Sequence, residues 1–203
     1  MLLFDGGRAP NARRVRIYLA EKGLSVPLSP IDINTLEQKS AGFSAMNPMQ
    51  RIPVLQLDDG TFLSETIAIC RYFEELHPTP PLFGEGALGK ANVEMWQRRM
   101  ELGLLLPVAN VFRHGHPAMA HMEVPQISEF AEANRPKVTE ALEWINTALT
   151  GKSFISDDTF SIADITALVA LDFMKPAKLS IAPHLTHVLA WHERLRARPS
   201  AAA

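Results

Sequence analysis

The chain has 203 residues, 47% of them hydrophobic and 21% charged, an ordinary globular composition with apolar material enough for one large or two small domains. Twenty Lys and Arg against 22 Asp and Glu leave a formal charge of −2, so the balance gives no reason to expect nucleic acid or an anionic membrane as partner. The single cysteine, Cys70, excludes an internal disulfide framework and suits a reducing compartment.

Met1 to Gly7 carries neither a basic leader nor a long apolar run, so no secretory signal is expected. The most apolar stretches are interrupted by Pro107, Asp164 and Asp172 and fall short of a membrane span, which points to a soluble, cytoplasmic protein. Met1–Phe4 is a first short strand. Val15, Tyr18, Leu19 and Lys22 then recur at helical spacing within 9–22, with Gly23 where a helix C-cap belongs. The extended segment 26–33 contains Pro27 and Pro30, which remove two backbone donors and confine it to a sheet edge. A short helix over 36–43 precedes a strand at 53–57, the tight turn Asp59-Gly60 and a strand at 61–63. A helix over 65–76 closes the unit. The order β-α-β-α-β-β-α is that of a thioredoxin-like fold.

Pro78, Pro80, Pro81, Gly84 and Gly86 punctuate a linker over 78–88. From 89 to 203 the period is helical throughout, and an all-helical bundle is expected. Val93, Trp96, Met100, Leu104, Val108 and Val111 describe one long helix, which Pro107 should kink. Pro117, Pro125 and Pro136 mark breaks or restarts, and Val138, Ala141, Leu142, Ile145 and Leu149 define a further helix. Ser161 with Asp164 three residues on is a capping box, with Phe160 and Ile165 set as a hydrophobic staple. Leu185, Val188, Leu189, His192 and Leu195 line the last helix.

Three motifs in this order and spacing, with the Ser161–Asp164 box as a fourth anchor, resemble the glutathione transferase family. They are Ala9-Pro10-Asn11-Ala12-Arg13-Arg14-Val15-Arg16, Asn47-Pro48-Met49-Gln50-Arg51-Ile52-Pro53-Val54-Leu55 and Leu63-Ser64-Glu65-Thr66-Ile67-Ala68-Ile69. The resemblance covers roughly residues 1 to 199 and implies a glutathione-binding domain over 1–77, the linker over 78–88 and a helical domain carrying the electrophile pocket over 89–203. Pro53 falls where the family has a cis-proline, and Ile52 would pair through its backbone with the cysteinyl unit of glutathione. Glu65 would take the γ-glutamyl ammonium, and Thr66 with the helix amides the α-carboxylate. Gln38, Lys39, Gln50 and Arg51 match positions that hold the glycyl carboxylate in relatives. Taken singly, each of these residues also has a plain structural reading.

Catalysis in this family requires the glutathione thiol, with a pKa of about 8.5 when free, to ionise near neutrality. Most branches use a Tyr, Ser or Cys near the first helix, but Ala9 stands at the matching Ser or Cys position and neither Tyr nor Ser occurs before Val15. The absence of a cysteine there argues against thiol exchange. The remaining candidates are the positive end of the first helix with Asn11 as donor, and the stretch Phe112-Arg113-His114-Gly115-His116-Pro117. That stretch resembles a yeast-type branch that also lacks the usual residue, in which a histidine acts through water. His114 is the first choice and His116 the second, as groups that could accept a proton near neutral pH. The alternative is that both are polar residues at a helix end. His114, His116 and His121 lack carboxylate or Cys partners at ligand spacing, so no metal is expected.

The resemblance implies an electrophile pocket between the domains, with Met100, Leu104, Val108, Phe112, Met119, Phe173 and Met174 as candidate lining, and a homodimer. The expected activity is addition of glutathione, as co-substrate, to small hydrophobic electrophiles, with glutathione peroxidase activity as a variant. The rival of a different class is a non-catalytic glutathione- or ligand-binding protein, which Ala9 favours. A glutathione-dependent isomerase of the maleylacetoacetate type is disfavoured, because Ala9-Pro10-Asn11 stands where that branch carries Ser-Ser-Cys.

Overall fold

Leu2–Asp5 forms strand β1, with Leu3 and Asp5 turned into the interior, in a computed structural model that describes all 203 residues. The chain divides into two units, Met1–Pro81 with Ala202–Ala203, and Leu82–Ala201. The first contains β1, helix α1 (Pro10–Glu21), β2 (Leu28–Pro30), α2 (Ala41–Met46), β3 (Val54–Gln56), β4 (Phe62–Ser64) and α3 (Thr66–Leu76). This is the thioredoxin-like order. The sheet runs β2-β1-β3-β4, with β1 and β2 parallel and the other pairs antiparallel. The proline-bearing β2 is an edge strand, where a missing donor faces no neighbour.

Helix α1 begins on Pro10, whose fixed φ suits the first helical position. It ends with Gly23 at φ +66, where Gly23 N–H reaches Ala20 C=O and Leu24 N–H reaches Leu19 C=O, a Schellman closure. Buried Tyr18 of α1 and Lys22 at its C-cap both meet the Glu74 carboxylate of α3, and Lys22 also donates to the His77 carbonyl at 2.8 Å. This network fixes α1 on α3 and ties down the chain leaving the unit. The helix expected over 36–43 divides at Ser40 into a 3-10 turn, Glu37–Lys39, and α2. Ser40 adopts an extended conformation, and its hydroxyl accepts the Phe43 N–H at 3.2 Å. The β3–β4 hairpin turns through three residues, Asp58 to Gly60, with Gly60 at φ +89, rather than through Asp59-Gly60 alone.

The second unit is helical: α4 (Gly86–Met100), α5 (Leu106–Gly115), α6 (Ser128–Ala148), α7 (Ile162–Met174) and α8 (Thr186–Arg196). Residues 82–88 are part of it, since Leu82 and Phe83 are buried, the Leu82 carbonyl accepts Ile162 N–H and α4 starts at Gly86. Near the Pro107 expected to kink one long helix, α4 passes into α5 through a π-helical turn, Glu101–Leu105. Leu106 N–H bonds back to Glu101 C=O, a widened turn that brings the chain to Pro107 without a break. Pro136 does not interrupt its helix either: α6 runs from Ser128 to Ala148 through it. In the turn before, the Asn134 carboxamide donates to Phe130 C=O at 2.7 Å and accepts from Asn110 of α5, which ties α6 to α5 beside the proline. No helix is long and apolar enough to cross a membrane.

Asp164 organises this unit. Ser161 and Asp164 form the expected capping box at the start of α7. The fully buried Asp164 carboxylate also accepts Ile155 N–H at 3.0 Å and the Trp191 indole N–H of α8 at 3.1 Å. Burial pushes its carboxyl up to about 6, with these donors pulling the other way. Removing the carboxylate would strand several buried donors, so Asp164→Ala should cost about 3–5 kcal/mol in urea unfolding. Because the folded carboxyl keeps its proton to higher pH than the unfolded one, whose value is 3.8, the folded state binds excess protons between 3.8 and about 6. This group's contribution to stability therefore falls as pH rises through that window and is level above it. The Trp191 indole proton resonance should titrate with a midpoint of about 6; a resonance that stays put through the window would count against the assignment.

Candidate functional site

The antiparallel register aligns Phe4 with Val54 and Val54 with Ser64. The residues just beyond these pairs, Asp5-Gly6, Ile52-Pro53 and Glu65-Thr66, are thereby brought to one end of the sheet. Gly6 makes close approach there possible: a Cβ on it would stand 1.8 Å from Ile52 Cδ1. Asp5 braces the turn into α1, its carboxylate accepting Gly7 N–H at 2.7 Å and pairing with Arg16. Neither residue is marked by a motif, because both act on backbone geometry.

The Ile52–Pro53 bond is cis. Ile52 N–H and C=O have no hydrogen-bond partner in the fold, although Val54 two residues on is paired on both sides. Glu65 is exposed, makes no side-chain hydrogen bond and takes φ +69 immediately before α3. The first helical bond of α3 is from Ile69 N–H to Glu65 C=O, which leaves the amides of Thr66, Ile67 and Ala68 without helical partners. Four non-glycine residues have positive φ, and three of them, Leu36, Gln50 and Glu65, lie in the segments that carry the expected site residues. Such conformations cost on the order of 1–3 kcal/mol each and cluster at binding sites.

Gln38 and Lys39 lie on the 3-10 turn. Gln38 is buried, yet its Oε1 has no partner, while Lys39 is exposed. Gln50 and Arg51 lie in the loop before β3. The Gln50 carboxamide donates to Ser44 Oγ at 3.0 Å, and Arg51 is exposed with its carbonyl held by Asn47 at 2.8 Å.

Asn11 occupies the first turn of α1. Its Oδ1 accepts from Arg14 Nη1 at 3.2 Å, and since a guanidinium only donates, the Asn11 Nδ2 hydrogens are the free end of the carboxamide. Arg14 is almost fully buried and went unrecognised in the sequence; its spacing of three from Asn11 was the available signal. No side chain caps this helix, so the Asn11 and Ala12 amides also lack helical partners. Burial and the bond to Glu74 drive the Tyr18 phenol well above its ordinary range, and burial pushes the Cys70 thiol up to about 12.

His114 and His116 belong to the second unit. His114 Nδ1 accepts Ile127 N–H at 3.2 Å, its Nε2 lies 3.6 Å from Glu123 Oε1, and its ring meets Phe130 edge-on. Both of its nitrogens therefore serve the loop between α5 and α6, together with the Arg113–Glu123 pair and Gln126. His116 Nδ1 accepts Ala118 N–H at 3.2 Å, and its ring stacks on Phe112, which also contacts Phe173 at 4.9 Å between centroids. In each neutral ring the proton is thus fixed on Nε2, so each offers a donor rather than a lone pair. Of the pocket residues expected from the sequence, Met100, Leu104, Val108 and Met174 are core, for they lie on the inward stripe; Phe112, Met119 and Phe173 remain partly exposed.

Known proteins resemble this chain along its whole length. Residues 9–76 match the family model for the glutathione S-transferase N-terminal domain, and residues 109–199 that for the C-terminal domain. Glutathione S-transferase 2 of Saccharomyces cerevisiae is 36% identical over 203 residues, covering 98% of this chain and 87% of that protein. The crystal structure of Gtt2 from S. cerevisiae superposes with a TM-score of 0.95 over 100% of this chain and 99% of that one, at 36% identity. A glutathione S-transferase domain-containing protein from Marinobacter aquaeolei gives 0.95 at 35% identity, with 98% and 99% covered. With both domain models matched in order and the whole chain superposed, this protein belongs to the glutathione S-transferase family.

Proposed function

We propose that the chain binds glutathione at the end of the sheet and presents its sulfur, as the thiolate, to small apolar electrophiles. One observation carries this reading: the unspent groups collected there, namely the Ile52 N–H and C=O, the first amides of α3 and the Glu65 carboxylate. Ile52 pairs with the cysteinyl backbone as an added strand would. Glu65 takes the γ-glutamyl ammonium, while Thr66 and the α3 amides take the α-carboxylate, anion at the positive end of a helix. Gln38, Lys39, Gln50 and Arg51 receive the glycyl carboxylate.

Lowering a thiol pKa by one unit takes about 1.4 kcal/mol of preferential binding to the thiolate. A hydrogen bond to a charged group contributes about 1.5–3 kcal/mol, and a helix N-terminus about 0.3–1. The Asn11 Nδ2 donor with the α1 amides therefore suffices to bring the thiol near neutrality without a hydroxyl. Of the two histidines that the resemblance offers for this task, His116 has an Nε2–H with no partner in the fold, whereas both nitrogens of His114 are engaged. In this role histidine donates to sulfur, directly or through water, and the thiol proton leaves to solvent. The thiolate then forms a C–S bond at the electrophilic carbon, and the leaving group departs with its electron pair. The half-exposed Phe112, Phe173 and His116 rings support an apolar electrophile; a hydroperoxide is a further candidate, with a second glutathione as reductant.

Ala9 favours one other reading, a glutathione-binding protein without catalysis. Thiolate absorbance of bound glutathione against pH separates the two. The wild-type thiol should titrate at least about one unit below the free value of about 8.5. Asn11→Ala and His116→Ala should each move it back by about one unit, and His114→Ala by much less. Glu65→Ala should instead weaken glutathione binding by about tenfold or more. Bound glutathione that titrates like the free tripeptide would make the non-catalytic reading the better one.

A homodimer and a cytoplasmic location complete the proposal. Leu88, Met95, Leu102 and Leu106 leave an exposed apolar stripe along α4, the π turn and α5, suited to a second copy. Sedimentation should give a dimer that Leu102→Glu splits; a monomeric wild type would overturn this part.

A further inference from the structure

We propose that the depression between the α6–α7 loop and α8 is a second site, one that binds the phosphate group of a small phosphorylated ligand. Its floor is built by the end of α6. Gly151 takes φ +73, and Lys152 N–H closes on Leu149 C=O at 3.0 Å, which turns the chain back and brings Lys152 and Ser153 opposite α8. On α8, His187, Ala190 and Arg194 follow at spacings of three and four and share one face. The cavity between them has a volume of about 240 Å³. That exceeds what a bare phosphate needs and leaves room for the first atoms of an ester.

The chemistry of the lining selects the ligand. Lys152 and Arg194 are cationic, Ser153 brings a hydroxyl, and no carboxylate lines the cavity. Arg194 gives one N–H to Ser153 C=O at 3.1 Å, which fixes the guanidinium against the loop and keeps most of its five donors for a ligand. His187 is anchored by its backbone N–H to Asn146 Oδ1 at 3.0 Å, and its Nδ1 lies 3.1 Å from the Asn146 carbonyl. A carbonyl only accepts, so Nδ1 carries a proton and the ring orientation is set. Ala190 between the two long side chains leaves the middle of the cavity open. The Arg194 guanidinium is thus held in place before any ligand arrives, which reduces the ordering cost of binding. None of these residues belongs to the glutathione site.

Titration calorimetry on the full chain at constant ionic strength, with inorganic phosphate in one arm and glycerol 3-phosphate in the other, tests the assignment. Saturable binding in either arm is expected, weakened about tenfold or more by Lys152→Gln and by Arg194→Gln, with glutathione binding unchanged. Equal affinity in both arms supports a site for the phosphate group alone, and preference for the ester supports use of the remaining volume. Lys152 Nζ lies 5.6 Å from the Trp96 ring, so tryptophan fluorescence gives a second readout, lost in Lys152→Gln. If Arg194→Gln does not fold, His187→Asn with Lys152→Gln replaces it. Absence of saturable binding in both arms, or equal affinity in wild type and variants, would overturn the proposal.

Discussion

Phe4, Val54 and Ser64 stand side by side in the sheet, and this register determines what the N-terminal unit can offer a ligand. The three chain segments leave the sheet at the same level. Beyond that level they stop bonding to one another, so the Ile52 backbone groups and the first amides of α3 are left unspent. A shift of one residue in β3 would turn alternate side chains to the opposite face and carry Ile52 away from the α3 terminus. Gly6 and Asp5 maintain the alignment from the β1 side, one by lacking a side chain and the other by holding the turn.

The proposed sulfur chemistry on this scaffold relies on N–H donors. The two tyrosines and the cysteine of this unit are not placed to replace a hydroxyl at position 9: Tyr18 and Cys70 are buried and held protonated, and Tyr72 lies within α3. Arg14 gives Asn11 its orientation by taking the carboxamide oxygen, so the amide hydrogens become the outward function. The histidines follow the same logic. A backbone N–H on Nδ1 decides where the ring proton resides, and with it whether imidazole acts as a base or as a donor.

The fold was largely legible in the sequence because its signals are local. Pro27 and Pro30 marked the edge strand, Gly23 the end of α1, and Ser161 with Asp164 the start of α7. The prolines inside helices were harder to read. The π turn before Pro107 and the passage of α6 through Pro136 have no local signal in the sequence, and the Asn110–Asn134 contact beside Pro136 forms only on folding. The segments proposed to hold glutathione were visible as motifs, but the unspent backbone at Ile52 and the positive φ of Glu65 and Gln50 have no signature of their own. The histidine tautomers lay further out of reach, since Ile127 and Ala118 supply the deciding N–H groups.

The burial of Cys70 has a consequence for the protein's own durability. A transferase whose proposed substrates are electrophiles must be a poor target for them. Its sole thiol is fully enclosed within α3 and keeps its proton to about pH 12, so it competes neither by access nor by ionisation with the sulfur of a bound tripeptide. Self-alkylation through cysteine is closed off by packing, and the catalyst can outlast the reagents it meets.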